Sequence, residues 1–177
     1  MSKVLAIDTS TSRTCVAVVD GDEVIYSSFR DGATAHGPSL PELVQQALEH
    51  GTVDEVVVGM GPGPFTGLRV GISFAQSFAL ARGISVRGVC SLDAIAAQIN
   101  DSDFIVTVDA RRKEVYWARY SHGKRTSNPA VNFPSDVSGA KIYSDLFPDM
   151  KALVQLPGNI AEPIYLRRPD AVATADR

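Results

Sequence analysis

The chain has 177 residues, 45% of them hydrophobic, which is enough for a buried core in one large domain or two small lobes. Its net charge of −3 provides no overall basic field, so nucleic-acid binding by the chain alone is not expected. The sequence opens on a strand pattern and has no apolar run of membrane-spanning length, so we expect a cytoplasmic protein without a membrane partner.

The first 100 residues predict the order β-β-β-α-β-α-β-α. Alternating and apolar runs predict strands at 3–8, 14–19 and 23–29, with a hairpin turn at 20–22. Three antiparallel strands in a row exclude a simple βαβ start. Helical periodicity and short apolar runs then predict the remaining elements, with Thr66 and Ser91 as N-caps of the last two helices: a helix at about 41–50, a strand at 54–59, a helix at 66–82, a strand at 85–89 and a helix at 91–99.

The same pattern starts again near residue 103. An apolar strand at 104–109 ends in Asp109, as the first strand ends in Asp8, and a paired strand follows at 114–120. We therefore predict an N-terminal lobe over 1–100, a reduced C-terminal lobe over 103–169 and a disordered tail over 170–177. Prolines interrupt the second lobe from residue 129 onward, and no long amphipathic helix is expected there.

The most distinctive motif is Gly61-Pro62-Gly63-Pro64-Phe65-Thr66-Gly67-Leu68-Arg69, between a buried strand and a long helix. We call residues 61–64 the Gly/Pro corner. The motif lacks the Gly-Lys-Ser/Thr of a phosphate-binding loop and the glycine spacing of a dinucleotide site. Its two prolines also remove N–H donors that an anion cradle would need. We expect a contact surface here, not an anion site.

The helix that follows has small residues at every fourth position from Gly67 to Ala79. This pattern fits two interpretations equally: a fully buried core helix, or a helix with one face on the core and another on a partner chain. On the second interpretation, Gly71→Leu or Ala75→Trp would block pairing and leave the fold largely intact. The predicted partner or dimer interface comprises Phe65, Leu68, Arg69, Gly71, Ile72, Ala75, Phe78 and Ala79.

No catalytic residue and no metal site are predicted. A metal-binding histidine pair on a helix needs a second histidine four residues after His36, where Leu40 stands, so we expect His36 to face solvent or to cap a helix. Cys15 and Cys90 lie in apolar surroundings and are expected to be small buried side chains.

Residues 8–12 and 109–112 resemble the two phosphate loops of actin-like ATPases and sugar kinases, with departures. Ser10 replaces a glycine, and Arg111 and Arg112 replace small residues. Two interpretations stay open for the first loop. One is a turn held by side-chain hydrogen bonds, and the other is a vestigial nucleotide contact formed by Asp8, Thr9, Ser10 and Asp109.

Together, four segments resemble the bacterial TsaB (YeaZ) family, a degenerate relative of the catalytic TsaD protein. The resemblance implies an α/β, two-lobe actin-like ATPase (ribonuclease H-like) fold, here with a complete N-terminal lobe and a truncated C-terminal lobe. The helix that this family has before residue 161 is expected to be absent. The segments are Ala6–Ser10, Gly59–Arg69, Asp109–Tyr116 and Ala161–Arg167.

The resemblance also implies a function. We expect a noncatalytic partner that activates TsaD. The reaction forms the threonylcarbamoyl group on N6 of adenosine in tRNAs that read codons beginning with A. A TsaE-type ATPase would join the complex, tRNA would be contacted only through the complex, and the chain alone would form a homodimer. No cofactor is expected on this chain by itself. ATP and magnesium are expected only at the level of the complex. The alternative is a stand-alone ATP-binding, sugar-kinase-like enzyme that uses Asp8 and Asp109.

Overall fold

The computed structural model describes residues 2–32, 34–158 and 160–167. The predicted tail over 170–177 lies outside these residues. Within them the chain forms two five-stranded sheets, one from each predicted repeat. No helix in the described ranges is both long enough and apolar enough to cross a membrane.

The first sheet has the strand order β3-β2-β1-β4-β5. The first three strands pair as antiparallel neighbours, whereas β4 and β5 run parallel to β1. Apolar residues on both faces of β1, β2 and β4 are buried, which explains why these strands appear as nearly continuous apolar runs. The strands are β1 (Lys3–Asp8), β2 (Arg13–Asp20), β3 (Glu23–Asp31), β4 (Glu55–Gly59) and β5 (Ser85–Val89).

Helices cover both faces of this sheet. On one face, α1 (His36–Leu48) and α2 (Phe65–Arg82) enclose a core that includes Leu5, Val16 and Val56. On the other face lie α3 (Ser91–Ala96) and α4 (Met150–Gln155), which contribute Ala94, Met150 and Leu153 to a second cluster.

Helix α4 corrects the expectation that no helix precedes residue 161. Its six residues form one short helix because the Asp149 carboxylate accepts a hydrogen bond from the backbone N–H of Ala152, at 2.7 Å. The helix returns from the second repeat to the first sheet, and Arg87 of β5 donates to the carbonyl oxygens of Val154 and Leu156.

The second sheet has the order β10-β6-β7-β8, with β9 also paired to β7. One of its faces packs on α3 through buried residues such as Phe104 and Tyr120. The strands are β6 (Asp103–Asp109), β7 (Val115–Ser121), β8 (Lys124–Arg125), β9 (Ala130–Asn132) and β10 (Lys141–Tyr143).

Three helix starts differ from the predictions. Helix α1 begins at His36 and contains Pro41, at which we expected it to start. Helix α2 begins at Phe65 after Pro64, so Thr66 lies inside it and is not its N-cap. Helix α3 begins at Ser91 and has Cys90 at the N-cap position. The Ser91 hydroxyl does not cap the helix because it is hydrogen-bonded to Asp8.

Candidate functional site

The carboxylate of Asp8 is buried at the carboxyl end of β1 and has three hydrogen-bond donors. Its Oδ1 atom accepts from the backbone N–H of Ser10 at 2.8 Å and from the Ser10 hydroxyl at 2.7 Å. Its Oδ2 atom accepts from the Ser91 hydroxyl at 2.6 Å. Burial raises the pKa of Asp8, and the three hydrogen bonds oppose that shift. The loop is therefore a turn held by its own side chains, as the first interpretation predicted.

The Gly/Pro corner closes over this turn. A Cβ atom at Gly59 would overlap Asp8 Oδ2, and one at Gly63 would overlap the carbonyl oxygen of Ser10. Ser91 also exchanges two hydrogen bonds with Gly61: its N–H donates to the Gly61 carbonyl at 2.8 Å, and its hydroxyl accepts from the Gly61 N–H at 3.2 Å. The Gly61–Pro62 peptide is cis. Gly59 and Gly63 therefore serve the close approach of two loops, not the binding of an anion.

His36 is buried, which corrects the expectation of a solvent-facing or capping residue. Only 4% of its surface is exposed, and its Nδ1 atom lies 2.7 Å from the Thr14 hydroxyl. Burial lowers the pKa of His36. Leu40 is fully buried in the core. No group of three or more histidine, cysteine or acidic residues in the described ranges could hold a metal ion.

Both cysteines are free and buried, as predicted. Burial raises the pKa of each thiol to about 12, so neither is a thiolate at neutral pH.

The small-residue column of α2 faces the sheet of its own chain. A Cβ atom at Gly71 would overlap the Thr9 side chain, whose hydroxyl donates to the Gly67 carbonyl at 2.7 Å. The expectation that Gly71→Leu or Ala75→Trp would spare the fold is therefore wrong. Five of the eight predicted interface residues are buried in the core: Leu68, Gly71, Ile72, Ala75 and Ala79.

The accessible side of α2 carries a different set of residues. Arg69 is exposed, whereas Phe65 and Phe78 are half-buried, so these three predicted residues stay available to a partner. Leu80 is 85% exposed, and the rings of Phe74 and Phe78 stack with centroids 6.1 Å apart. We call the following set the α2 outer surface: Arg69, Val70, Ser73, Phe74, Ser77, Phe78 and Leu80.

The second Asp-containing loop is open where the first is closed. Asp109 is exposed, and its Oδ1 atom accepts from the N–H of Arg111 at 2.9 Å. The next three residues, which we call the basic turn (residues 111–113), have φ values of 59°, 54° and 65°. Left-handed backbone costs an L-residue about 1–2 kcal/mol. Arg111, Arg112 and Lys113 are nonetheless all exposed cations in this conformation.

A small cleft of about 140 Å³ separates the two loops. Its lining includes Thr11, Ser12 and Pro64 from the first repeat and Asp109 and Arg111 from the second. Of the four residues predicted as vestigial nucleotide contacts, only Asp109 lines this cleft. Asp8, Thr9 and Ser10 are at most 1% exposed. The structure therefore does not bring Asp8 and Asp109 together around one accessible site.

The segment Ala161–Arg167 connects the Gly/Pro corner to the basic turn, a role that sequence reasoning missed. The Ile164 N–H donates to the Met60 carbonyl at 2.9 Å, and the rings of Tyr165 and Phe65 lie 4.9 Å apart. Arg167 donates to the Ala110 carbonyl at 3.1 Å and forms an ion pair with Glu114. The only sequence signal for this segment was its resemblance to a family motif.

Comparisons with known proteins agree with this architecture. The family model described as "TsaD: tRNA N6-adenosine threonylcarbamoyltransferase" matches residues 30–160. TsaB of Escherichia coli strain K12 is 33% identical over 140 positions, which cover 70% of this chain and 60% of that protein. YeaZ from Pseudomonas aeruginosa superposes with a TM-score of 0.74 at 25% identity, over 88% of this chain and 90% of that one. The chain belongs to the TsaB (YeaZ) family.

The superposition on YeaZ and the two five-stranded sheets confirm the predicted α/β fold of this family. An uncharacterized protein of Mycobacterium tuberculosis strain H37Rv is 42% identical, covering 97% of this chain and 94% of its own length. That alignment has 200 positions against 177 residues here, so this chain lacks a residue at 23 or more of them. This TsaB-family chain is therefore shorter than that relative over the aligned region.

Proposed function

We propose that this chain acts in tRNA threonylcarbamoyladenosine biosynthesis as a noncatalytic subunit that activates a TsaD-type catalytic partner. A role in this biosynthesis is supported by membership of the TsaB family, because the E. coli member is named for that pathway. The chain spans 60% of that relative's length. The proposal that the chain activates its partner without catalysing the reaction rests on the first loop, residues 8–12.

The single observation that carries the noncatalytic role is the state of Asp8. Both carboxylate oxygens are occupied by donors from Ser10 and Ser91, and the side chain is fully buried. A carboxylate that holds a magnesium–nucleotide complex must reach the cleft, whereas this one is a packing element between β1, α3 and the Gly/Pro corner. This arrangement supports a subunit that has kept the superfamily fold and uses it as a scaffold.

The proposed contact with the partner is the α2 outer surface. An almost fully exposed Leu80 on a helix that also carries half-buried aromatic rings is a pattern found at protein interfaces. In the absence of the partner, the chain pairs with a second copy through the same surface. A TsaE-type ATPase joins the assembled complex, and tRNA is engaged by the complex and not by this chain alone.

The proposal is tested by reconstitution. This chain is mixed with the TsaD-type and TsaE-type proteins of the same organism, threonylcarbamoyl-adenylate and unmodified tRNA, and modified adenosine is measured by mass spectrometry. We expect product formation to require this chain, and this chain alone to form none. Equal product without the chain would contradict the activating role.

The contact surface is tested separately with Leu80→Glu combined with Ser77→Arg. Both side chains are exposed, so we expect the fold to remain intact and binding to the TsaD-type subunit to weaken at least about tenfold, as for loss of a central interface residue. Phe133→Glu is the matched control, because Phe133 is a 52% exposed apolar residue of the second repeat. If light scattering shows that the α2 variant assembles as well as the control, the interface lies elsewhere.

A further inference from the structure

The basic turn is held by local hydrogen bonds. The Ala110 N–H donates to the Glu114 carbonyl at 2.9 Å, and the Glu114 N–H donates to the Arg111 carbonyl at 3.0 Å. The Asp109 carboxylate fixes the Arg111 N–H. The β6–β7 connection therefore holds three exposed cationic side chains on a single left-handed turn.

The residue types of this turn conflict with its backbone. Glycine or asparagine would adopt three successive left-handed conformations at lower cost than arginine or lysine. Local rules of this kind are broken mainly at functional sites, where the side chains are needed for another reason. The long cations are not needed for core packing, because all three are exposed.

The surroundings of the turn combine positive charge with accessible aromatic rings. Arg167 forms an ion pair with Glu114, which offsets the carboxylate next to the turn. Tyr165, 40% exposed, lies two residues before Arg167 and packs on Phe65, whose ring also carries the Arg69 guanidinium at 5.2 Å. Carboxylates also lie in this region: Asp109 and Asp145 line the neighbouring cleft, and the exposed Glu162 belongs to the same segment as Tyr165.

We propose that the basic turn contacts the phosphate backbone of tRNA in the assembled complex, with Tyr165 and Phe65 beside it as a surface for an unpaired base. This inference rests on the proposed function, because it assigns the RNA contact to a complex. Arginine pairs with phosphate through two N–H groups, and exposed aromatic rings next to cations are typical of surfaces for single-stranded RNA.

The test variant is Arg111→Asn, Arg112→Asn and Lys113→Asn in one chain. Asparagine tolerates left-handed backbone, so the turn is retained while three charges are removed. We measure the affinity of the complex for unmodified tRNA as a function of salt concentration. Each lost phosphate contact lowers the slope of log affinity against log salt by about 0.7–0.9, so we expect the slope to fall by about two and the affinity at low salt to fall at least tenfold.

Two controls accompany this variant. Arg111→Lys, Arg112→Lys and Lys113→Arg preserve the charges and should keep most of the affinity. Arg30→Asn, Lys124→Asn and Lys141→Asn remove the same total charge from exposed positions outside the turn and should leave the slope near the wild-type value.

Each outcome decides the proposal. A variant complex that assembles normally and binds tRNA with an unchanged salt slope overturns the RNA contact and leaves the proposed function intact. A variant that no longer assembles overturns it as well, because the turn then contacts a protein subunit. If the wild-type chain forms no complex, the proposed function fails, and the RNA contact, which requires the complex, is overturned with it.

Discussion

The two repeats end their first strand in the same way but use the aspartate in opposite ways. Asp8 is fully buried, and serine donors surround it. Asp109 is exposed, and its hydrogen bond shapes a left-handed turn of cations. The difference lies in what covers each loop. The Gly/Pro corner packs over the first, and the second borders an open cleft.

The comparison teaches that a strand ending in aspartate before a hairpin does not by itself define a nucleotide loop. Ser10 supplies both a backbone and a hydroxyl donor to Asp8, and Gly59 leaves room for the carboxylate. These two residues make the first loop a buried packing element between β1 and the Gly/Pro corner. On the other side, Arg111 and Arg112 keep the second loop from closing in the same way, since long charged side chains are costly to bury.

The largest expected effect comes from Gly59→Ala, which fills the space that the first loop needs. The new methyl group would overlap Asp8 Oδ2 and crowd the Ser91 hydroxyl, so the buried hydrogen-bond cluster must break. We expect a loss of unfolding free energy of about 3 kcal/mol or more, measured by urea denaturation.

Gly37→Ala is the control for this substitution, because a Cβ atom at Gly37 meets no atom within 4 Å. It lies in the first turn of α1 and should be neutral or stabilising by up to about 1 kcal/mol. Similar unfolding free energies for the two variants would contradict the close packing of the first loop.

A smaller effect is expected from Asp8→Asn, and it depends on pH. Burial raises the folded-state pKa of Asp8 above its ordinary value of about 4, so the folded protein holds this proton more tightly than the unfolded chain does. Its contribution to stability is therefore fully present below about pH 4 and declines as pH rises through the raised pKa.

We expect Asp8→Asn to lower the unfolding free energy by about 2 kcal/mol at low pH, because the new amide N–H₂ faces other donors. The difference from wild type should shrink as pH rises through the raised folded-state pKa of Asp8. Burial lowers the pKa of His36 and the charge of Asp8 opposes that shift, so the variant also changes the contribution of His36 to this difference. A difference that grows with pH would mean that Asp8 is stabilised in its charged form.

The smallest effect concerns the second loop. Arg111→Gly relieves one left-handed residue, and the gain is partly offset by the greater freedom of glycine in the unfolded chain, so we expect a rise in unfolding free energy of about 0.5 kcal/mol. Gly123→Ala is the inverse control, since Gly123 has φ of 72° and open space around it; it should cost about 1 kcal/mol. Destabilisation by Arg111→Gly beyond that of the control would show that the arginine side chain supports the fold.

Much of the fold could be predicted from the sequence, because period and composition report local structure directly. The apolar strands β1, β4 and β6 were predicted to within a residue at each end, and the turn interpretation of residues 8–12 matches the structure.

The parts that were not predictable depend on packing between distant segments. Helix α2 is apolar over most of its circumference, so its sequence could not indicate which side faces the sheet. The deciding contact is Thr9 against Gly71. His36 is buried by contact with Thr14, 22 positions earlier in the chain. The docking of α4 on the first sheet, through Leu153, likewise has no local signature.

The most direct test of the central claim is the reconstituted modification assay with Asp8→Asn in place of the wild-type chain. If Asp8 is a packing residue of a noncatalytic subunit, the rate of modified-adenosine formation will follow the amount of folded variant in the complex. It will return to the wild-type rate at a temperature where that variant is fully folded. A folded, fully assembled Asp8→Asn complex that forms product 100-fold more slowly would contradict the account and place Asp8 in the chemistry.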